Sequence, residues 1–231
     1  MGLNTDRSAV RLPWLDFHTH QPSLPNQGYI AVRSFSRALP NNTPPLGPFS
    51  VGLHPWASAE PGAKQWAETE LPRLLQSPNC LALGEVGLDR LQGASLREQQ
   101  ALLELQLLLA KKLQLPIVVH CVRAWSELLA SFRRIDPHTP KAIHGFRGSS
   151  QLLHTLLDLG WYISPHVTTH GTIAPIAAQI PAERLLLETD STALNAQCVI
   201  APAAQLRAEP IDELTHAVDS NIRAFYSVTN S

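Results

Sequence analysis

Short apolar runs recur along the chain from residue 12 onward, each closed by a glycine, a turn or a polar residue, and their lengths of a few residues fit buried strands. Eight such runs are predicted as strands, over residues 12–17, 29–35, 49–53, 81–84, 117–119, 141–143, 161–163 and 185–187. Between the later ones the hydrophobic period lengthens to that of an amphipathic helix, over 63–75, 101–113, 124–135, 151–159 and 211–226. Ser95-Leu96-Arg97-Glu98 has the spacing of a capping box before the second of these, Pro116 ends it, and Gly160 is placed to terminate the fourth. The front quarter differs. Residues 21–28 and 36–48 are rich in proline and asparagine and are too short for helices, whereas a parallel crossover normally takes about a dozen residues or more, usually helical. Strands alternating with helices predict an α/β protein. Eight strands in 231 residues favour a TIM-like (β/α)8 barrel, with its first two crossover helices shortened or missing, over an open doubly wound sheet.

Composition narrows this little. The hydrophobic fraction of 44% is ordinary, and one domain over residues 1–231 is expected. The formal charge of -1 gives no global positive field, so contact with nucleic acid would have to rest on local groups. The N-terminal residues lack an apolar export segment, and Asp6 stands where a myristoylation signal wants Ser or Thr. The most apolar stretch, 101–110, is interrupted by Glu104 and Gln106 and is too short to span a bilayer. Cys80, Cys121 and Cys198 form no Cys-x-x-Cys pair and are expected as free thiols in a reducing cytoplasm.

The candidate chemistry lies at the ends of the strands. In Asp16-Phe17-His18-Thr19-His20 the two histidines are one residue apart, so a strand turns both to one face, an arrangement suited to a divalent metal. Asp16 shares that face and could orient one of them. Glu85, His120, His144 and Asp190 also follow apolar runs directly, and in a barrel the C-terminal strand ends converge on one rim. Four histidines and two carboxylates at one rim can hold two metals.

These stretches resemble a known family. Asp16-Phe17-His18-Thr19-His20, Gly52-Leu53-His54-Pro55, Gly84-Glu85-Val86-Gly87-Leu88-Asp89, Leu115-Pro116-Ile117-Val118-Val119-His120, His144-Gly145-Phe146-Arg147-Gly148 and Glu188-Thr189-Asp190-Ser191 are similar to motifs of the TatD-type metal-dependent deoxyribonucleases and TatD-related hydrolases of the amidohydrolase superfamily. The resemblance implies two divalent ions, Zn, Mg or Mn, with His18, His20 and Asp190 on one, His120 and His144 on the other, and Glu85 bridging both. It also implies hydrolysis by a metal-activated water, with Asp190 orienting the water and taking its proton and Glu85 fixing the separation of the ions. The chain departs from the family pattern at Gly145, where a cysteine is usual, at Thr192, where proline is usual, and at Arg123, displaced from its usual place directly after the second-metal histidine. These changes leave the ligand set whole and bear on substrate contacts.

His54, Arg123 and Arg147 are the expected substrate contacts, with Arg33 a further candidate, and Glu188 is a carboxylate placed to support a ligand. The expected substrate is a short or single-stranded nucleic acid or a small phosphodiester, with no membrane and no obligate protein partner. Hydrolysis of a lactone, amide or phosphotriester is the alternative, and a non-catalytic metal-binding or scaffold protein the alternative from another class.

Overall fold

The structure is a computed structural model that describes residues 13–22, 28–37 and 44–227. Seven strands run parallel in sequential order: β1 (Trp14–Thr19), β2 (Ile30–Ser36), β3 (Phe49–Gly52), β4 (Cys80–Asp89), β5 (Ile117–Val122), β6 (Lys141–Phe146) and β7 (Tyr162–Pro165). A doubly wound sheet would reverse its order partway, so this order excludes that alternative. The eighth predicted strand is too irregular to count as one, yet it occupies the eighth position. Leu186 N–H donates to the Ile163 carbonyl at 3.0 Å, Phe17 N–H to Leu187 at 2.8 Å, and Asp190 N–H to His18 at 3.0 Å. Residues 185–190 thereby join β7 to β1 and close the ring. The described residues between β1 and β2 and between β2 and β3 contain no helix, and the rest of the two shortened crossovers, 23–27 and 38–43, lies outside the described residues.

Burial explains why this ring holds together. Phe17 points away from the axis onto the last helix, α7 (Ile211–Tyr226), with Phe225 edge-on at 5.2 Å and Tyr226 stacked at 5.7 Å, so Asp16 and His18 take the opposite face. The Tyr226 hydroxyl donates to the Phe17 carbonyl at 2.8 Å, which fixes that helix against the strand bearing the histidines. The helix predicted over 63–75 is two, α1 (Ala63–Thr69) and α2 (Leu71–Leu74), because Pro72 lacks the N–H that a continuous helix needs. Beyond β4, α3 (Leu96–Leu113) carries the expected capping box, followed by α4 (Trp125–Ile135) and α5 (Ser150–Asp158). A helix the pattern did not reveal, α6 (Gln197–Arg207), encloses Pro202.

Two features of β4 position the site. This strand runs on to Asp89, past the expected end at Glu85, and Gly84 and Gly87 lie within it. At Gly87, with φ of 150°, a Cβ would sit 1.9 Å from the His120 carbonyl oxygen, so only glycine lets β4 approach β5 this closely. Two buried amides of α3 then tie down the strand ends. Gln106 accepts from Leu53 N–H at 2.7 Å, and Gln99 accepts from Asp89 N–H at 2.8 Å and donates to the Asp89 carbonyl at 2.9 Å.

Candidate metal centre

Glu85 is the middle of the arrangement. Its side chain is 4% exposed, and its two oxygens divide the surrounding histidines between them. Oε1 lies 2.6 Å from His144 Nε2, 2.9 Å from His120 Nδ1 and 2.9 Å from His54 Nε2. Oε2 lies 3.4 Å from His18 Nε2 and 3.3 Å from His20 Nε2. Asp190 closes the second side, with Oδ1 at 3.6 Å from His20 Nε2 and 4.0 Å from His18 Nε2. The structure thus brings all six predicted ligands together, and His54 with them.

The donor set fits divalent metal. Three groups have ligand atoms within 4.8 Å of one another: His18, His20 and Glu85; His18, His144 and Asp190; and His54, Glu85 and His120. Both ring nitrogens of His18 are buried and make no hydrogen bond among the described residues, although one of them faces carboxylates. A fully buried imidazole left this way is costly unless something occupies its lone pair. His54 differs. Trp56 N–H donates to its Nδ1 at 3.2 Å, so in the neutral ring the proton sits on Nε2, where it donates to Glu85 Oε1.

The electrostatics follow from this crowding. Burial alone would raise the Glu85 carboxyl, but the charge of His144 and the close imidazoles of His120, His144 and His18 outweigh it and hold it well below the usual carboxylate range. His144 is the reciprocal case: burial would lower it, while Glu85 and Glu188 raise it well above the ordinary imidazole value. Burial lowers His18, whereas for His20 the hydrogen bond to Glu85 and the charges of Glu85 and Asp190 overcome burial and raise it.

Carboxylates surround the histidines. Glu188 Oε1 accepts from Gly145 N–H at 2.7 Å and faces His144 Nδ1 at 3.6 Å, a charge contact in the supporting position expected of it. Asp16 does not orient a histidine side chain. Residues 185–190 run beside β1, so Asp16 takes Thr189 instead, accepting from its N–H at 2.9 Å and its hydroxyl at 2.7 Å, and burial raises its carboxyl to about 7. Asp89 was missed as a member of the site. It is 2% exposed, lies 3.4 Å from His120 Nε2 and accepts from Trp56 Nε1–H at 2.6 Å. The signal was present in Gly87-Leu88-Asp89, where Asp89 shares a face with Gly87, the residue packed against His120, but it required β4 to continue beyond Glu85.

A cleft of about 1000 Å³ opens at the centre and extends along the flank where the early crossovers are short, past Trp56 to Trp66, Arg37 and Arg73. The arginines expected to contact substrate stand elsewhere. Arg123 and Arg147 are exposed and do not line this cleft. Arg147 Nη2 lies 3.1 Å from His166 Nδ1, and Arg123 lends its carbonyl to Arg90 at 2.8 Å. Arg33 lies over the Phe35 ring, 4.7 Å from its centroid.

No helix among the described residues is long and apolar enough to cross a membrane.

Set against known proteins, residues 36–227 match the model of the TatD-related DNases. An uncharacterized metal-dependent hydrolase of Escherichia coli K12, YjjV, is 30% identical over 226 residues, covering 85% of this chain and 83% of its own. The 3'-5' ssDNA/RNA exonuclease TatD of Edwardsiella piscicida is 34% identical over 171 residues, covering 70% of this chain and 64% of that protein. The crystal structure of the TatD homologue YjjV from Escherichia coli K12 superposes with a TM-score of 0.71 at 29% identity, covering 88% of each chain.

Proposed function

The chain belongs to the family of TatD-related DNases, and from that premise and the centre around Glu85 we propose that it is a metal-dependent phosphodiesterase acting on short or single-stranded nucleic acid. The observation that carries the proposal is the division of histidines between the two oxygens of Glu85, with His18 and His20 on Oε2 and His120 and His144 on Oε1. That division supports two divalent ions sharing Glu85, with Asp190 beside the first. Ions bound there would supply Lewis acidity and lower the pKa of water to about neutral.

The remaining steps belong to the protein. Glu85 would hold the ions together while accepting a hydrogen bond from His54 Nε2–H, which keeps the carboxylate oriented. Asp89 faces His120 Nε2, so the His120 proton is favoured there and Nδ1 is left to bind. Asp190 Oδ1 is half-open to the cleft, its side chain 27% exposed, and would take the proton of the attacking water. A single strand suits the charge pattern, because tight binding to long duplex DNA draws on many phosphate contacts, and a chain with net charge -1 offers no global positive field to supply them.

The test is metal analysis of protein purified without chelator, followed by cleavage of a labelled single strand, its duplex and a simple phosphodiester across ionic strength. The expected result is metal-dependent cleavage, faster on the single strand, with a shallow salt slope. Preference for the duplex with a steep slope would overturn the substrate assignment. Failure to cleave any phosphodiester, with turnover of a lactone or amide, would overturn the reaction class.

A further inference from the structure

Trp56 stands beside the centre without supplying a ligand. It is 51% exposed, yet its indole is fixed: Nε1–H donates to the buried Asp89 carboxylate at 2.6 Å, and the ring meets His54 and His120 near perpendicular, at centroid distances of 4.9 and 6.0 Å. A large aromatic held rigid at the mouth of a cleft offers a flat apolar surface whose ordering cost is already met by folding. The cleft then continues to Trp66, which is half-buried. Its volume, about 1000 Å³, lies at the top of the roughly 300–1,000 Å³ range of small-ligand sites, more than one phosphodiester group fills.

The charges along this flank decide what fits there. Arg37 donates to Glu60 Oε2 at 2.7 Å and to the Pro61 carbonyl at 2.6 Å, and Arg73 donates to Glu70 Oε2 at 3.2 Å. Each guanidinium lining the flank is therefore matched by a carboxylate that also lines it. Such a surface has little to offer a run of phosphates, but its indole faces and guanidinium planes suit unpaired bases.

We propose that Trp56, and Trp66 further along the cleft, are stacking subsites for the bases of the nucleotides flanking the phosphate held at Glu85. This rests on the phosphodiesterase function proposed above. Recognition on this flank is through base faces, so it requires a strand with exposed bases and tolerates any sequence.

The experiment compares a labelled single strand with the same strand carrying abasic residues at its three terminal positions at either end, for wild type, Trp56→Ala, Trp56→Phe and Trp66→Ala. Binding is read by anisotropy with metal chelated, and cleavage after metal is restored and its content measured. Loss of one stacked base is worth roughly 5- to 150-fold. Trp66→Ala and Trp56→Ala should therefore weaken binding and kcat/KM for the intact strand by that factor relative to the abasic strand, while Trp56→Phe keeps most of the discrimination. The Asp89 carboxylate takes its indole hydrogen bond from Trp56, so the Trp66 variant tests stacking while leaving that bond beside His120 in place. If cleavage proceeds and every variant treats the intact and abasic strands in the wild-type ratio, the stacking subsites are overturned and the phosphodiesterase function stands. If metal-loaded protein cleaves neither strand but chelated protein still shows tryptophan-dependent preference for the intact one, the phosphodiesterase function is overturned and the subsites stand.

Discussion

Glu85→Gln keeps the shape of the side chain and removes the charge on which the centre converges. In chelated protein Glu85 and His144 form a buried pair, their side chains 4% and 8% exposed and 2.6 Å apart. Removing one member of such a pair leaves the other uncompensated, at a cost of about 3–5 kcal/mol. The Gln amide also cannot accept at both oxygen positions, so the nitrogens facing Oε1 and those facing Oε2 cannot both keep their partner. For a chain of this size each kcal/mol moves Tm by about 2–4 °C, so the chelated variant should melt about 6–20 °C below chelated wild type. His144 can shed its proton to relieve the imbalance, because Glu85 and Glu188 are what hold it above its ordinary value. The deficit should therefore shrink at higher pH. With metal present the gap should widen, since ligation would stabilise wild type and the variant lacks the residue proposed to be shared by two ions. Thermal denaturation with and without chelator, together with elemental analysis, measures both effects. A variant that retains the wild-type metal content would refute the bridging role of Glu85. One that melts with wild type after chelation would refute the buried pair.

The same pair predicts the pH dependence of the chelated protein. Glu85 is depressed below 4.5, so its contribution is present above that value and is lost as pH falls through its folded pKa, while His144 is raised above 6.5, so its contribution is complete below 6.5 and is lost as pH rises through its folded pKa. Urea midpoints of chelated protein should therefore fall on raising the pH above 6.5, and a midpoint climbing steadily from there would contradict the assignment. Metal affinity should run the other way, because the His144 proton competes with the ion. Asp190 has φ of 51°, a conformation Asn also tolerates, so Asp190→Asn should fold with a wild-type melting curve and lose about 10²–10⁴-fold in turnover; unchanged turnover in metal-loaded variant would remove Asp190 from the reaction. Gly87→Ala would place a methyl 1.9 Å from the His120 carbonyl, forcing β5 away from β4. The cost should be about 1–3 kcal/mol in stability with weaker metal binding, and equal denaturation curves would show that the strands part without strain.

Local patterning sufficed to place the barrel strands and the candidate ligands because the two coincide. A buried parallel strand is a short apolar run, and its end is where the run gives way to a polar residue, so His18, His20, Glu85, His120, His144 and Asp190 could be placed on one rim from the sequence. What lay outside that pattern depended on contacts between distant segments. Asp16 meets Thr189 across 173 positions, and that pairing, set by the irregular segment that closes the ring, decides that Asp16 supports the backbone before Asp190 instead of a histidine ring. Asp89 entered the site only because two glycines keep β4 running beside β5. Strand ends also fix only the Cα of a long side chain. Arg123 and Arg147 begin at the rim yet lie outside the cleft, while Arg37, directly after β2, and Arg73, on α2, line it. An arginine carries about six to seven ångströms of flexible side chain, so the nearest partner in the folded protein, Glu60 for Arg37 and Glu70 for Arg73, determines where its charge lies.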